Sequence, residues 1–169
     1  MRTRLLALLA ACAPALVFAA EPPVQPQTAS HKIVTYAITL SRVATGQVLW
    51  SQTVTAIDGE ARPTSAMQST PYRESVVAGV VKMGAVDQGV TARVVPHVFG
   101  PGGRVATELS FDYATLKGMR PLTVNGATID LPSVQHVGIS EVFMTSPSKP
   151  EMTISLDRLV LKVHVSVQS

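Results

Sequence analysis

The chain has 169 residues, with 14 Lys and Arg against 11 Asp and Glu and a single cysteine, Cys12. That length accommodates one domain with a full core and leaves little room for two. One cysteine excludes an internal disulfide, and a small positive balance that includes Arg2 and Arg4 leaves no basic patch of the kind that grips nucleic acid.

The first element is "MRTRLLALLAACAPALVFAAEPP". Two arginines, an apolar run from Leu5 to Ala20 and small residues just before Glu21 have the three-part layout of a secretory signal peptide, here residues 1–20. The run is shorter than the roughly 20 residues that cross a bilayer as a helix. "LAAC" at Leu9–Cys12 offers a lipoprotein cleavage box as the alternative, but the apolar run continues past it to Ala20. Export to the periplasm or outer membrane is the expectation. Residues 21–31, "EPPVQPQTASH", are rich in proline and polar groups and read as a disordered leader. A single β-rich domain is expected over 32–169.

From Lys32 the pattern has period two. "KIVTYAITLS" places Val34, Tyr36, Ile38 and Leu40 on one side and Thr35 and Thr39 on the other. "RVATGQ" supplies a turn, and "VLWSQTVTAI" returns with Trp50, the one tryptophan, to make a hairpin. "DGEARPTSAMQSTP", loaded with Gly, Pro, Ser and Thr, is expected to be loop. "YRESVVAGVV" from Tyr72 reads as a short strand, followed by a loop around Met83 and Gly84. Next come two amphipathic runs around Gly100–Gly103, with Val90, Ala92, Val94 and Val98 alternating in the first and Val105, Leu109 and Phe111 in the second. Pro96, lacking an N–H, belongs at a bulge, a strand end or an edge. Asn125-Gly126 is a strong hairpin signal, because a type I′ turn needs positive φ at both central residues. "SVQHVGISEVFMT" and "MTISLDRLVLKVHVSV" follow, the latter with Leu159, Leu161, Val163, Val165 and Val167 on one face. No apolar stripe of helical period runs beyond about two turns. The fold class is all-β, with antiparallel hairpins forming a sandwich or a larger sheet.

Chemistry-bearing clusters are scarce. His31, His97, His136 and His164 have none of the close spacing of a zinc motif and no cysteine to help them. "DGE" at Asp58–Glu60 has no apolar surroundings to raise a carboxyl pKa and reads as the start of a turn. There is no G-x-S-x-G elbow, and Gly-Pro-Gly-Gly lacks the lysine and helix of a phosphate loop. No metal, cofactor or catalytic residue is indicated, and the expectation is a non-enzymatic protein.

"VDQGVTARVVPHVFGPGGRVATELSFDYATLKG" followed by "VNGATIDLPSVQHVGISEVFMT" is similar to the core of bacterial secretins, the multimeric outer-membrane β-barrels of secretion systems and type IV pili. The matching parts are a Gly-Val strand from Gly89 to Val98, a glycine turn at Gly100–Gly103, an alternating strand from Val105 to Asp112, a polar connection from Ala114 to Asn125, and an "i-x-l-P-x-v" segment leading into another long strand, Ile129 to Met144. The resemblance spans about residues 72–145 and looks closest to the pilus and conjugation branch. Two features depart from the family. Only a leader and one hairpin precede the match, and "SPSKPEMTISLDRLVLKVHV" stands where a glycine-rich strand is usual. A small paralogue, or a domain sharing the strand order, fits these departures.

What the resemblance implies is a secretin-like sheet acting by assembly or docking in a secretion, pilus or conjugation apparatus, with copies of itself or other envelope proteins as partners and with outer-membrane association. Strand addition at an open edge is the expected mode. The expected contact surface is Val90, Val94 and Val98 with Val105, Leu109 and Phe111, and Trp50 and Tyr72 as aromatic anchors, although Trp50 also suits a core. A soluble β-sandwich binding a small molecule, peptide or glycan is the alternative.

Overall fold

A computed structural model describes residues 32–168. The expected signal peptide and leader, with Cys12 and His31, lie outside the described residues. Those residues form eight strands in two antiparallel sheets of four. β1 (Ile33–Arg42) and β2 (Val48–Ile57) make the first hairpin. β3 (Arg62–Val77), β4 (Val80–Phe99), β5 (Arg104–Val124) and β6 (Ala127–Thr145) follow as consecutive hairpins, and β7 (Glu151–Leu156) and β8 (Leu159–Gln168) end the chain. One sheet has the order β2-β1-β8-β7 and the other β3-β4-β5-β6.

The alternation of β1 builds one wall of the core: Val34, Tyr36, Ile38 and Leu40 are all fully buried. Leu161, Val163 and Val165 of β8 flank them, and Val54 and Ala56 of β2 lie on the other side. The facing wall is the near half of the second sheet. Here the residues expected at an assembly surface take a different place: Val90, Val94, Val105, Leu109 and Phe111 are each at most 2% exposed and Val98 is half-buried against the same cluster. Their apolar face is covered by the sheet of the same chain, so these side chains are not available to a neighbour. Trp50 packs at the edge of this core with its ring centroid 6.1 Å from that of Phe111. The Tyr36 and Thr107 hydroxyls share a buried hydrogen bond of 3.1 Å across the two walls, and burial pushes the Tyr36 pKa up to about 12.

Four segments differ from expectation. "ARPTSAMQSTP" is mostly strand, because β3 is an edge strand: it needs no apolar face and tolerates proline wherever the missing N–H would have pointed away from its partner. The turn after Tyr72 falls at Ala78-Gly79 (φ 50° and 82°), and Met83 and Gly84 lie within β4. Ala114 to Val124 is not a connection; it continues β5 to the Asn125-Gly126 turn, whose φ values of 50° and 80° match the hairpin expected there. The final alternating segment is interrupted at Asp157-Arg158, which turns β7 into β8.

The two sheets have unequal lengths. The strands of the first have 6 to 10 residues, whereas those of the second have 16 to 21. At about 3.3 Å per residue the longer strands overhang the shorter by roughly 30 Å. Where cover from the first sheet ends, β4 and β5 separate: their ladder stops at Gly89 and Ala114, so Val80–Gln88 pair only with β3 and Thr115–Val124 only with β6. Gly89 makes the divergence. Its φ of 135° is open to glycine alone, and a Cβ there would collide with the Ala66 carbonyl.

Leu109→Ala should cost about 2–5 kcal/mol of folding stability in urea titrations, as expected for a truncation in a packed core. Gly89→Ala should cost about 1–3 kcal/mol through backbone strain, and should increase hydrogen exchange at the β3–β4 hairpin more than at β1 and β8.

Candidate functional site

Beyond Gly89 and Ala114 the second sheet becomes two hairpins, 68–88 and 115–136, that lean on one another. The switch is visible along each strand of the second. In β5 the buried positions change from Val105, Thr107, Leu109 and Phe111 to Ala114, with Leu116 half-buried. In β6 they change from Phe143 and Thr145 to half-buried Val134, Pro132 and Asp130. One face of the β5–β6 hairpin therefore packs on the first sheet and the opposite face on the β3–β4 hairpin.

Polar side chains join the two hairpins. Gln88 Nε2 donates to Thr70 Oγ1 at 3.1 Å, while Gln88 Oε1 accepts from the Leu116 N–H at 3.3 Å, so one amide takes up a donor that β5 loses when it leaves β4. Arg73 clasps Asp130 with Nε at 3.0 Å and Nη2 at 2.9 Å, and its backbone N–H also donates to Asp130 Oδ2 at 3.0 Å. The bonds from the Arg73 side chain and backbone hold the Asp130 carboxyl well below its ordinary value, at about 2. Tyr72, expected as an aromatic anchor, is half-buried in this hairpin with its ring over Gly84, where a Cβ would meet Cζ at 2.8 Å.

The free edges follow from the register. The pairs next to the two-residue turns, Val77 with Val80 and Val124 with Ala127, are hydrogen-bonded, and alternate pairs beyond them are not. Counted this way, through the bulges at Arg73/Ser75 and Leu116/Gly118, Pro63, Pro71, Pro121 and Pro132 all occupy non-hydrogen-bonded pairs whose N points away from the partner strand. Arg73 and Leu116 fall in the same class, and their N–H groups do reach outward, to Asp130 and Gln88. The prolines thus remove donors from the edges and none from the ladders. Asp58-Gly59 closes another gap: the Asp58 carboxylate accepts from the Val98 N–H at 2.9 Å and the Gly59 N–H donates to the Pro96 carbonyl at 2.7 Å, covering β4 beyond the start of β3.

The longest edge free of proline among the described residues is on β6. From Val134 to Met144, β6 contains no proline and pairs on one side only, with β5. Val142 and Met144 stand on its outer face, 69% and 56% exposed. The hairpin tips are apolar too, with Val77, Val80 and Val81 at one and Leu122 and Val124 at the other, all exposed. Neither feature was evident in the sequence, because both depend on which strand ends without a partner.

The histidines do not converge. His97 lies 3.3 Å from Glu108, His136 3.5 Å from Asp112 and His164 3.4 Å from Glu151, each pair reaching across two neighbouring strands and exposed. His97 and His136 sit opposite Ala106 and Ala114 of β5, roughly 27 Å apart along the strand, and His164 is in the other sheet. Among the described residues no three metal-binding side chains gather.

The Arg73–Asp130 contact should be complete above the ordinary carboxyl pKa of 3.8 and lost as the pH falls from there through about 2, since a carboxyl held low is stabilised in its charged form. Amide exchange of the two hairpins should therefore accelerate relative to β1 and β8 over that window. Asp130→Asn should reproduce the loosening at neutral pH and abolish its acid dependence.

No family model matches the chain, and no curated protein matches it. Among solved structures it is similar to the secretin InvG of the Salmonella SPI-1 type III secretion injectisome, at 12% identity over 81% of this chain and 59% of that one, with a TM-score of 0.41. It is likewise similar to a chain in the atomic model of the basal body proteins InvG, PrgH and PrgK of the same injectisome, at 12% identity over 81% of this chain and 42% of that one, again with a TM-score of 0.41. In both cases this chain spans less than two thirds of the other's length.

Proposed function

We propose that the chain is an exported, non-enzymatic assembly subunit of a secretin-like envelope apparatus, in the periplasm or at the outer membrane, and that it joins its neighbours by strand addition at β6. The observation that carries this is the open edge from Val134 to Met144, free of proline beside exposed Val142 and Met144. Pro63 and Pro71 interrupt β3, Pro121 interrupts the free side of β5, and Asp58-Gly59 caps β4 at Pro96–Val98. Other proline-free edges, Val48–Ile57 of β2 and Val80–Gln88 of β4, are shorter than the one on β6. An unguarded row of N–H and C=O groups is a template for another strand, with main-chain bonds giving affinity and alternate side chains giving selectivity. The resemblance of residues 72–145 to a ring-forming family agrees with such a role.

Ser140 offers a clean test. It faces Ser110 in a non-hydrogen-bonded pair, so Ser140→Pro should remove an outward donor and leave the β5–β6 ladder whole. In sedimentation velocity the native chain should form a discrete oligomer, and Ser140→Pro should run as a folded monomer with an unchanged near-ultraviolet spectrum. Val142→Lys, at an exposed position, should weaken association at least tenfold. A native chain that stays monomeric up to about 1 mM, or an oligomer indifferent to both substitutions, would refute the proposal.

A further inference from the structure

The overhang of the longer sheet creates a second feature, independent of strand addition at the β6 edge. Past the ends of β1 and β7, the face of the β5–β6 hairpin that would have met the first sheet has nothing beneath it. Tyr113, Thr115, Gln135 and Val137 form a shelf there, and the turns at Ala44-Thr45 and Asp157-Arg158 form an end wall. Between them lies a cleft of about 560 Å³. The wall is well fixed. The Val43 N–H donates to the Arg158 carbonyl, joining the two turns, and the Arg42 and Gly46 N–H groups close the β1–β2 turn on the Gln47 and Arg42 carbonyls, all at 2.9 Å. Leu49, the extra residue of the β1–β2 bulge, projects into the same space.

Its electrostatics are one-sided. Arg42, Lys117 and Arg158 line the cleft with a single carboxylate, Asp157, and among the described residues none of the three cations makes an ion pair. Lys117 is there because of the register break between Leu116 and Gly118, which leaves it unpaired as the bulged residue of β5. Three cations against one carboxylate around a concavity attract an anion more strongly than the same charges on an open surface, because the walls exclude part of the screening water. Cations alone do not define the ligand, however. A cleft of this size suits a molecule well beyond a lone small anion. Its lining alternates aliphatic groups, Leu49, Leu156 and Leu159, with hydrogen-bonding ones, Thr45, Thr115 and Gln135. That mixture suits the amides and alternating side chains of a peptide better than a hydrocarbon tail, and the recess between two sheets keeps a flat bilayer from reaching it.

We infer that this cleft binds a short acidic peptide segment of a partner, with carboxylates on Arg42, Lys117 and Arg158 and an apolar side chain among Leu49, Leu156 and Leu159. The segment docks across the end of the shorter sheet, where the overhang supplies cover and the turns supply charge.

The probe is a fluorescein-labelled hexapeptide alternating glutamate and leucine, with its glutamine–leucine counterpart as control, titrated with the full chain by fluorescence anisotropy. Saturable binding of the glutamate peptide is expected, with at least tenfold weaker binding of the glutamine peptide. Arg42→Gln and Arg158→Gln should each weaken binding about threefold to tenfold, and added salt should weaken it further. All three cations are exposed, Arg42 at the end of β1, Lys117 on a bulge and Arg158 in a turn, so the variants should keep the native thermal midpoint, and Leu159→Ala supplies an uncharged check by weakening the peptide without altering the salt dependence. Equal affinity for the two peptides, affinity unchanged in the double Arg42→Gln, Arg158→Gln variant, or binding to anionic vesicles in place of the peptide would overturn the assignment.

Discussion

A sheet of ten-residue strands covers only the near half of a sheet whose strands run to twenty, and most of what is distinctive in this molecule follows from that mismatch. Near the short sheet, the long one behaves as half of an ordinary sandwich, with alternate residues in the shared core. Beyond it the same strands must find other cover or stay wet. The solution here is to divide: β4 and β5 part at Gly89, and the two hairpins turn faces toward one another. The contact is thinner than the core, half-buried residues such as Tyr72, Leu116 and Val134 joined by a glutamine amide and an arginine–aspartate clasp. Such a contact contributes much less than a core, so the far half should open well before the near half.

The same constraint explains which parts of the fold were legible in the sequence. β1 and β8 were readable residue by residue, because both lie in the middle of a sheet with one face fully buried, and burial writes a strict period of two. β3 was hidden for the opposite reason. As an edge strand of the overhanging sheet it has almost nothing to bury, so Ser, Thr, Gln and two prolines suffice, and that composition imitates a loop. The turns show a similar contrast. Asn125-Gly126 announces itself through residues that favour positive φ, whereas Ala78-Gly79 adopts the same shape without the asparagine.

The candidate sites were less legible still. A strong apolar alternation from Val90 to Phe111 marks a surface that must be covered, but it cannot say by whom; the cover turned out to be β1 and β8 of the same chain. The edge of β6 and the cleft below the β5–β6 hairpin both depend on where neighbouring strands stop. That is a property of relative lengths and pairing order, which leaves no local mark at Ser140 or Arg158. Prolines gave the one usable hint. Their phase against the ladder, consistent at 63, 71, 121 and 132, marks the stretches of edge that are blunted.

Trp50 sits on β2 while its ring neighbour Phe111 belongs to β5 in the opposite layer. Since the chain has no other tryptophan, its emission works as a gauge of the spacing between the two layers. Remodelling confined to the hairpin tips should leave that light unchanged, whereas parting of the layers should shift it to the red, so a single optical channel distinguishes a local rearrangement from loss of the sandwich itself.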